Sequence, residues 1–149
     1  MAIARGAGTE IIRSIHLEEV NATVRTLIFG VQHHIYTVLS ITAIAMTLNA
    51  DTDFIKAQLL GYDSLGGTTA QSIRIFQQDM SVFQTYVWND KFSFNGFEPT
   101  DFTGPMDDAT KQDAIADQGS SVATVLTIAA EHSSDTFDVT CTYLDQNNA

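Results

Sequence analysis

The chain has 149 residues, 44% of them apolar, and a formal net charge of −11 from 18 acidic against 7 basic side chains. That length suits one domain with a core of its own, and the acidic balance opposes nucleic acid and anionic membrane surfaces. The single cysteine, Cys141, excludes an intramolecular disulfide framework.

The opening MAIARGAG carries no apolar run of signal-peptide length, so export by that route is not expected, and Asn21-Ala22-Thr23 is read as a chance match to a glycosylation acceptor. Residues 1–9 are small and polar and read as a flexible arm. Glu10 to Glu18 then alternates as a half-buried strand. Ile11, Ile15 and Leu17 share one side with Arg13 as the exception, and Ser14, His16 and Glu18 share the other with Ile12. Val24 to Val31 reads as a second strand with Leu27, Phe29 and Val31 on one face.

From Thr26 to Ala50 no charged residue occurs, so Leu27–Leu48 is long and apolar enough for a membrane helix. Its composition opposes that reading. Gln32, His33 and His34 would sit inside the span, no aromatic or basic belt marks its ends, and β-branched residues crowd it. Two strands joined near Gly30 to His34 fit better. The second is longer than a usual strand of about 5–6 residues and changes parity within itself. Ile35, Leu39 and Ile41 fall on one side, and Tyr36, Val38, Ile44 and Met46 on the other. Either both faces are buried or a bulge shifts the phase near Ser40 to Ala43. The double-sided apolarity predicts an oligomer with Tyr36, Val38, Ile44 and Met46 at a subunit contact.

Further strands are expected at Phe54–Tyr62, with Ile55, Ala57 and Leu59 facing one way, at Gln71–Gln77, at Val82–Trp88 and at Lys91–Phe94. In the last, Phe92 and Phe94 face inward. Asn95-Gly96 is a hairpin signal. The composition changes over 97–121, a long acidic loop insertion in which Pro105 to Ala116 could form a short helix. Val122–Ala130 reads as one strand apolar on both faces. Thr136–Leu144 alternates with Phe137, Val139, Cys141 and Tyr143 inward. About eight short strands with regular turn signals make an all-β antiparallel sandwich or barrel over residues 10–149.

Nothing in the pattern names a reaction. Adjacent strand histidines such as His33 and His34 point to opposite faces and cannot grip one ion. Asp107, Asp108, Asp113 and Asp117 lack the spacing of a Ca²⁺ loop and read as a solvated acidic segment. Cys141 lies on the inward parity of its strand, as a buried thiol does, and no nucleophile elbow or phosphate loop occurs. The chain is therefore read as a non-enzyme with no cofactor and no metal. Phe83, Tyr86 and Trp88 suggest a sugar-stacking platform, with core packing the commoner fate of such aromatics.

The layout resembles the jelly-roll decoration (cement) proteins of tailed-bacteriophage capsids. The resemblance rests on the polar arm, on His33-His34-Ile35-Tyr36-Thr37-Val38 leading into a Thr/Ile-rich segment, and on the turn Trp88-Asn89-Asp90-Lys91 re-entering as Phe92-Ser93-Phe94. The closing strand Phe137 to Leu144 completes it, so that it covers most of Glu10 to Asp145. It implies a jelly-roll β-sandwich and a homotrimer on the outer surface of a virion, clamping neighbouring copies of the major capsid protein. The arm from Ala2 to Arg13 is then the expected capsid contact, with Ala2, Ile3, Arg5, Thr9 and Arg13 as its contact residues and Arg5 and Arg13 meeting carboxylates of the shell. A receptor- or glycan-binding sandwich of a virion fibre or tail is the alternative, and an exposed Trp88 would favour it.

Overall fold

Alternation of apolar and polar side chains converts into strands along most of the described residues. The computed structural model describes residues 9–62, 70–99, 109, 110, 112 and 121–147. Among these it forms strands β1 (Thr9–Val20), β2 (Arg25–Phe29), β3 (His34–Thr47), β4 (Phe54–Tyr62), β5 (Ala70–Asp79) and β6 (Thr85–Trp88). They are followed by β7 (Phe92–Asn95), β8 (Phe97–Pro99), β9 (Ser121–Ala123), β10 (Val125–Ala130) and β11 (Thr136–Asn147). Leu27–Leu48 divides between β2 and β3, and no helix among the described residues is long and apolar enough to cross a membrane.

The strands make two antiparallel sheets. One runs β1-β11-β3-β6, with β7 also on β3, and the other runs β2-β10-β4-β5. β6 and β7 occupy the same side of β3, against Ile41–Ile44 and Ile35–Val38 respectively, so they are one edge strand interrupted at Asn89–Lys91. The short β8–β9 ladder pairs Pro99 with Ser121 and closes the base of the acidic insertion. With those two features set aside, the sheet orders become first-eighth-third-sixth and second-seventh-fourth-fifth. This is the doubled Greek key of a jelly roll. The expected helix at Pro105–Ala116 falls largely outside the described residues; Ala109, Thr110 and Gln112 are helical and exposed.

The core lies between the sheets. Val38, Ile41, Ala43, Ala45, Phe137, Val139 and Cys141 from the first sheet meet Ile55, Ala57, Leu126 and Ile128 from the second, all with no exposed surface. A run of stacked and edge-on rings, Tyr36–Phe94–Phe92–Trp88–Phe76, follows β7 and β6 and crosses to β5, with centroids 5.4–6.2 Å apart. Such geometry adds about 0.5–1.5 kcal/mol per pair beyond burial.

The parity change in β3 is a bulge. Ser40 pairs with Thr142 and Val38 with Tyr143, leaving Leu39 as the extra residue. The inward set therefore passes from Tyr36 and Val38 to Ile41, Ala43 and Ala45, while Ile44 and Met46 turn outward. This corrects the subunit-contact expectation for Tyr36 and Val38, which are 3% and 0% exposed and offer no surface to a second chain. β2 has a similar fault. Leu27 is the extra residue opposite β10, so Leu27 and Ile28 are both buried and Phe29 and Val31 stand exposed.

Two further expectations are corrected by close backbone approach. Asn95-Gly96 does not turn a hairpin, because β8 pairs with β9 and not with β7. Instead the Gly96 N–H donates to the His34 carbonyl (2.8 Å), the Gly96 carbonyl accepts from Thr124 N–H (2.8 Å), and the Thr124 carbonyl accepts from Gly30 N–H (2.9 Å). A Cβ on Gly30 would stand 1.9 Å from the Gly96 oxygen, and one on Gly96 would stand 2.1 Å from the Val31 oxygen. Val122–Ala130 is broken at Thr124 by this same knot into β9 and β10.

Candidate interaction surface

Period-two alternation fixes which side chains leave the sandwich. On β1, Ile15 and Leu17 pack toward the core and Ile12, Ser14, His16 and Glu18 face solvent, with Ile12 68% exposed. Across the outer face of this sheet the hydroxyls pair: Ser14 with Thr142 (3.2 Å), His16 Nδ1 with Thr140 (2.7 Å) and Thr37 with Ser93 (2.8 Å). On the second sheet, Val125 is in register with both Phe29 and Leu60, beside the inward Leu126. Phe29, Val125 and Leu60 thus form an apolar row across three strands on the outer face, with Phe29 65% exposed. The β5–β6 connection adds Val82 and Phe83. Phe83 is 70% exposed and held in left-handed backbone (φ 64°) by its N–H donating to the Ala45 carbonyl at 2.7 Å, an unusual conformation for a bulky residue.

The inward exception on β1 has a partner. Arg13 Nε donates to Asp145 Oδ2 at 2.9 Å, and Asp145 Oδ1 accepts from His34 Nδ1 at 2.6 Å. Asp145 sits on β11 between the two, its side chain 5% exposed. A carboxylate only accepts, so His34 bears its proton on Nδ1. Tyr36 lies beside this group. Its hydroxyl accepts the Val31 N–H at 3.1 Å, and burial together with the Asp145 charge pushes it up to about 12. Sequence reasoning missed the Asp145–His34 pair; the available signal was a basic residue on the inward parity of β1, which demands a buried acid opposite.

The expected contact residues are placed as follows. Ala2, Ile3 and Arg5 lie outside the described residues, as do Asp107, Asp108, Asp113 and Asp117. Thr9 opens β1, half-buried and in register with Asn147. Arg13 is committed to Asp145 rather than free for a partner, although its side chain remains 48% exposed. Ile44 is half-buried on the outer face. Met46 is exposed at a second bulge of β3 and lines a depression of about 250 Å³ with Glu18, Glu19, Thr136 and Asp138.

The chemistry of the remaining candidates is quiet. Burial pushes the Cys141 thiol up to about 12, which keeps it neutral and unreactive near pH 7. Trp88 is 8% exposed within the ring cluster, and Tyr86 packs partly against the core, so neither supplies an open sugar-stacking platform. His33 lies in the turn before β3, and His34 opens β3 with its Nδ1 hydrogen-bonded to Asp145. Among the described residues no group of three or more His, Cys, Asp and Glu side chains is arranged to hold a metal ion.

No family model matches the chain, and no curated protein matches it. A solved structure described as Bacillus endospore appendages forming a novel family of disulfide-linked pili is similar at 12% identity and a TM-score of 0.41, over 100% of this chain and 97% of that one.

Proposed function

We propose that the protein is a structural subunit that works by docking on other protein subunits, and specifically that it is a decoration protein on the outside of a bacteriophage capsid. The observation that carries this reading is the set of large apolar side chains held outward on rigid strands of both sheets, Ile12 on one and Phe29 on the other. Such side chains release water when a partner covers them, and rigid strands lose little entropy on docking. The acidic chain directs the choice of partner toward protein and away from DNA. The layout resemblance supplies the specific assembly: a homo-oligomer, expected to be a trimer, that bridges neighbouring major capsid subunits.

The test is cosedimentation of the purified protein with undecorated capsids, alongside light scattering to give its oligomeric state. Binding at a stoichiometry matched to capsid subunits is expected. A monomer that never associates with particles would defeat the proposal. Deleting residues 1–8, which leaves β1 whole, is expected to preserve the fold and abolish capsid occupancy; unchanged occupancy would remove the arm from the contact.

A further inference from the structure

Asn95-Gly96 is the only Asn-Gly pair in the sequence. In an open chain such a pair modifies itself readily, because glycine puts no side chain in the way of attack by its own nitrogen. The reaction needs no enzyme. The Gly96 nitrogen gives its proton to solvent base and attacks Asn95 Cγ. The N–Cγ bond forms, the Cγ–Nδ2 bond breaks, and the amide takes a proton from water and leaves as ammonia. Water then opens the five-membered imide at either carbonyl. One opening gives aspartate, and the other gives isoaspartate, in which the main chain runs through Cβ.

The folded chain obstructs this reaction at each step. Asn95 is exposed at the end of β7, but Gly96 is buried. The Gly96 N–H donates to the His34 carbonyl at 2.8 Å, which keeps its proton from solvent base. Pairing with Ile35 holds Asn95 extended. Ring closure needs Asn95 Cβ and the Gly96 nitrogen to eclipse about the Cα–C bond, and extended backbone keeps them apart. Gly96 has no room to shift toward such a geometry. A Cβ on it would stand 2.1 Å from the Val31 oxygen and 2.8 Å from the Val31 nitrogen, and its carbonyl is held by the Thr124 N–H at 2.8 Å.

We propose that Asn95 is a latent self-modification site: the crossing of Gly30, Gly96 and Thr124 holds it shut, and each opening of that crossing lets a fraction of the chains convert to aspartate or isoaspartate. The isoaspartyl product cannot reclose. It lengthens the main chain by one carbon beside a glycine that lacks space even for a Cβ. The register of β7 on β3 and the Gly96–His34 hydrogen bond are then both lost. Opening of the crossing is reversible while Asn95 is intact and becomes irreversible once it has reacted. The protein therefore carries a chemical record of how often this corner of the jelly roll has opened.

The full chain is incubated at mildly alkaline pH, folded in buffer and unfolded in urea, and digested with trypsin. Cleavage after Lys91 and Lys111 isolates a peptide in which Asn95 is the only amide side chain, so its mass reads the conversion directly. Conversion is expected to be at least about tenfold slower in the folded chain. Gly30→Ala, which presses a Cβ onto the Gly96 oxygen, should speed conversion under conditions where the variant is still folded. Asn95→Gln keeps the amide but would need a six-membered ring, which closes slowly. Repeated heating and cooling should erode the recoverable folded fraction of the wild type and spare that of Asn95→Gln. Equal conversion in folded and unfolded chains, or equal erosion in wild type and Asn95→Gln, would overturn the proposal. If Gly30→Ala does not fold, these two comparisons decide.

Discussion

Arg13 on β1 and Asp145 on β11 form an ion pair on the inner side of their sheet, Nε to Oδ2 at 2.9 Å, and His34 on β3 completes it from the other flank. Three adjacent strands are thus joined by side chains as well as by their ladders. The carboxylate is buried and the guanidinium about half exposed, so the two single substitutions are unequal. Arg13→Ala leaves Asp145 with His34 and is expected to cost about 1 kcal/mol. Asp145→Ala strands both donors and is expected to cost about 2–3 kcal/mol. Urea unfolding of both variants and the double mutant gives the coupling. Equal small losses with no coupling would mean that the pair is solvated in solution.

Gly30 and Gly96 mark a crossing of backbones that no side chain fits. An added Cβ meets carbonyl oxygen at 1.9 Å and 2.1 Å, and backbone cannot yield as a flexible side chain does. Gly30→Ala and Gly96→Ala are each expected to lose at least ~2 kcal/mol, read as a fall in Tm, whereas Gly61→Ala, whose Cβ meets nothing, serves as the tolerant control.

The division between what was legible in the sequence and what was not follows from the range of the forces. Alternation is local, so the inward sets of β1, β4, β7 and β11 read directly, including Arg13 as the misfit. The Leu27–Leu48 stretch resolved into two strands because Gln32, His33 and His34 inside it and its β-branched residues speak against a membrane helix. The parity break in β3 was visible too, one residue from its place at Leu39. What was not visible was its consequence. A bulge flips the face of everything beyond it, so grouping Tyr36 and Val38 with Ile44 and Met46 joined core residues to surface ones. Asn95-Gly96 misled for a different reason: its glycine is needed by the Val31 backbone distant in sequence, and a local turn rule has no term for that. The Asp145–His34 pair spans 111 positions and only pairing of β3 with β11 brings it together.

Tyr36 gives the molecule an alkaline limit. Its hydroxyl ionises at about 12 in the folded chain against 10.0 for a free phenol, chiefly because burial disfavours the phenolate. A raised acid keeps its proton longer when folded, so its contribution is complete below pH 10.0 and lost as the pH rises toward 12. Tyr143, also raised by burial, acts in the same direction. Tyr36→Phe removes the acceptor for the Val31 N–H, is expected to cost about 1 kcal/mol near neutral pH, and flattens the alkaline decline. Phenolate absorbance during a pH titration reads this directly, and early ionisation of every tyrosine with the fold intact would contradict it.

Ile12 and Phe29 separate stability from assembly. They stand on the outer faces of opposite sheets, 68% and 65% exposed, so replacing either with serine removes little that folding has buried. Each variant is expected to stay within about 0.5 kcal/mol of the parent in urea. If the protein docks through its faces, one substitution should weaken association with the partner at least tenfold while the other has little effect, because a rigid sandwich cannot press both outer faces against one surface. Met46→Ser probes the end of β3 in the same way. The variant that loses binding identifies the docked face, and undiminished association in all three would move the contact away from the sheet faces, to the arm or to the Val82–Phe83 connection.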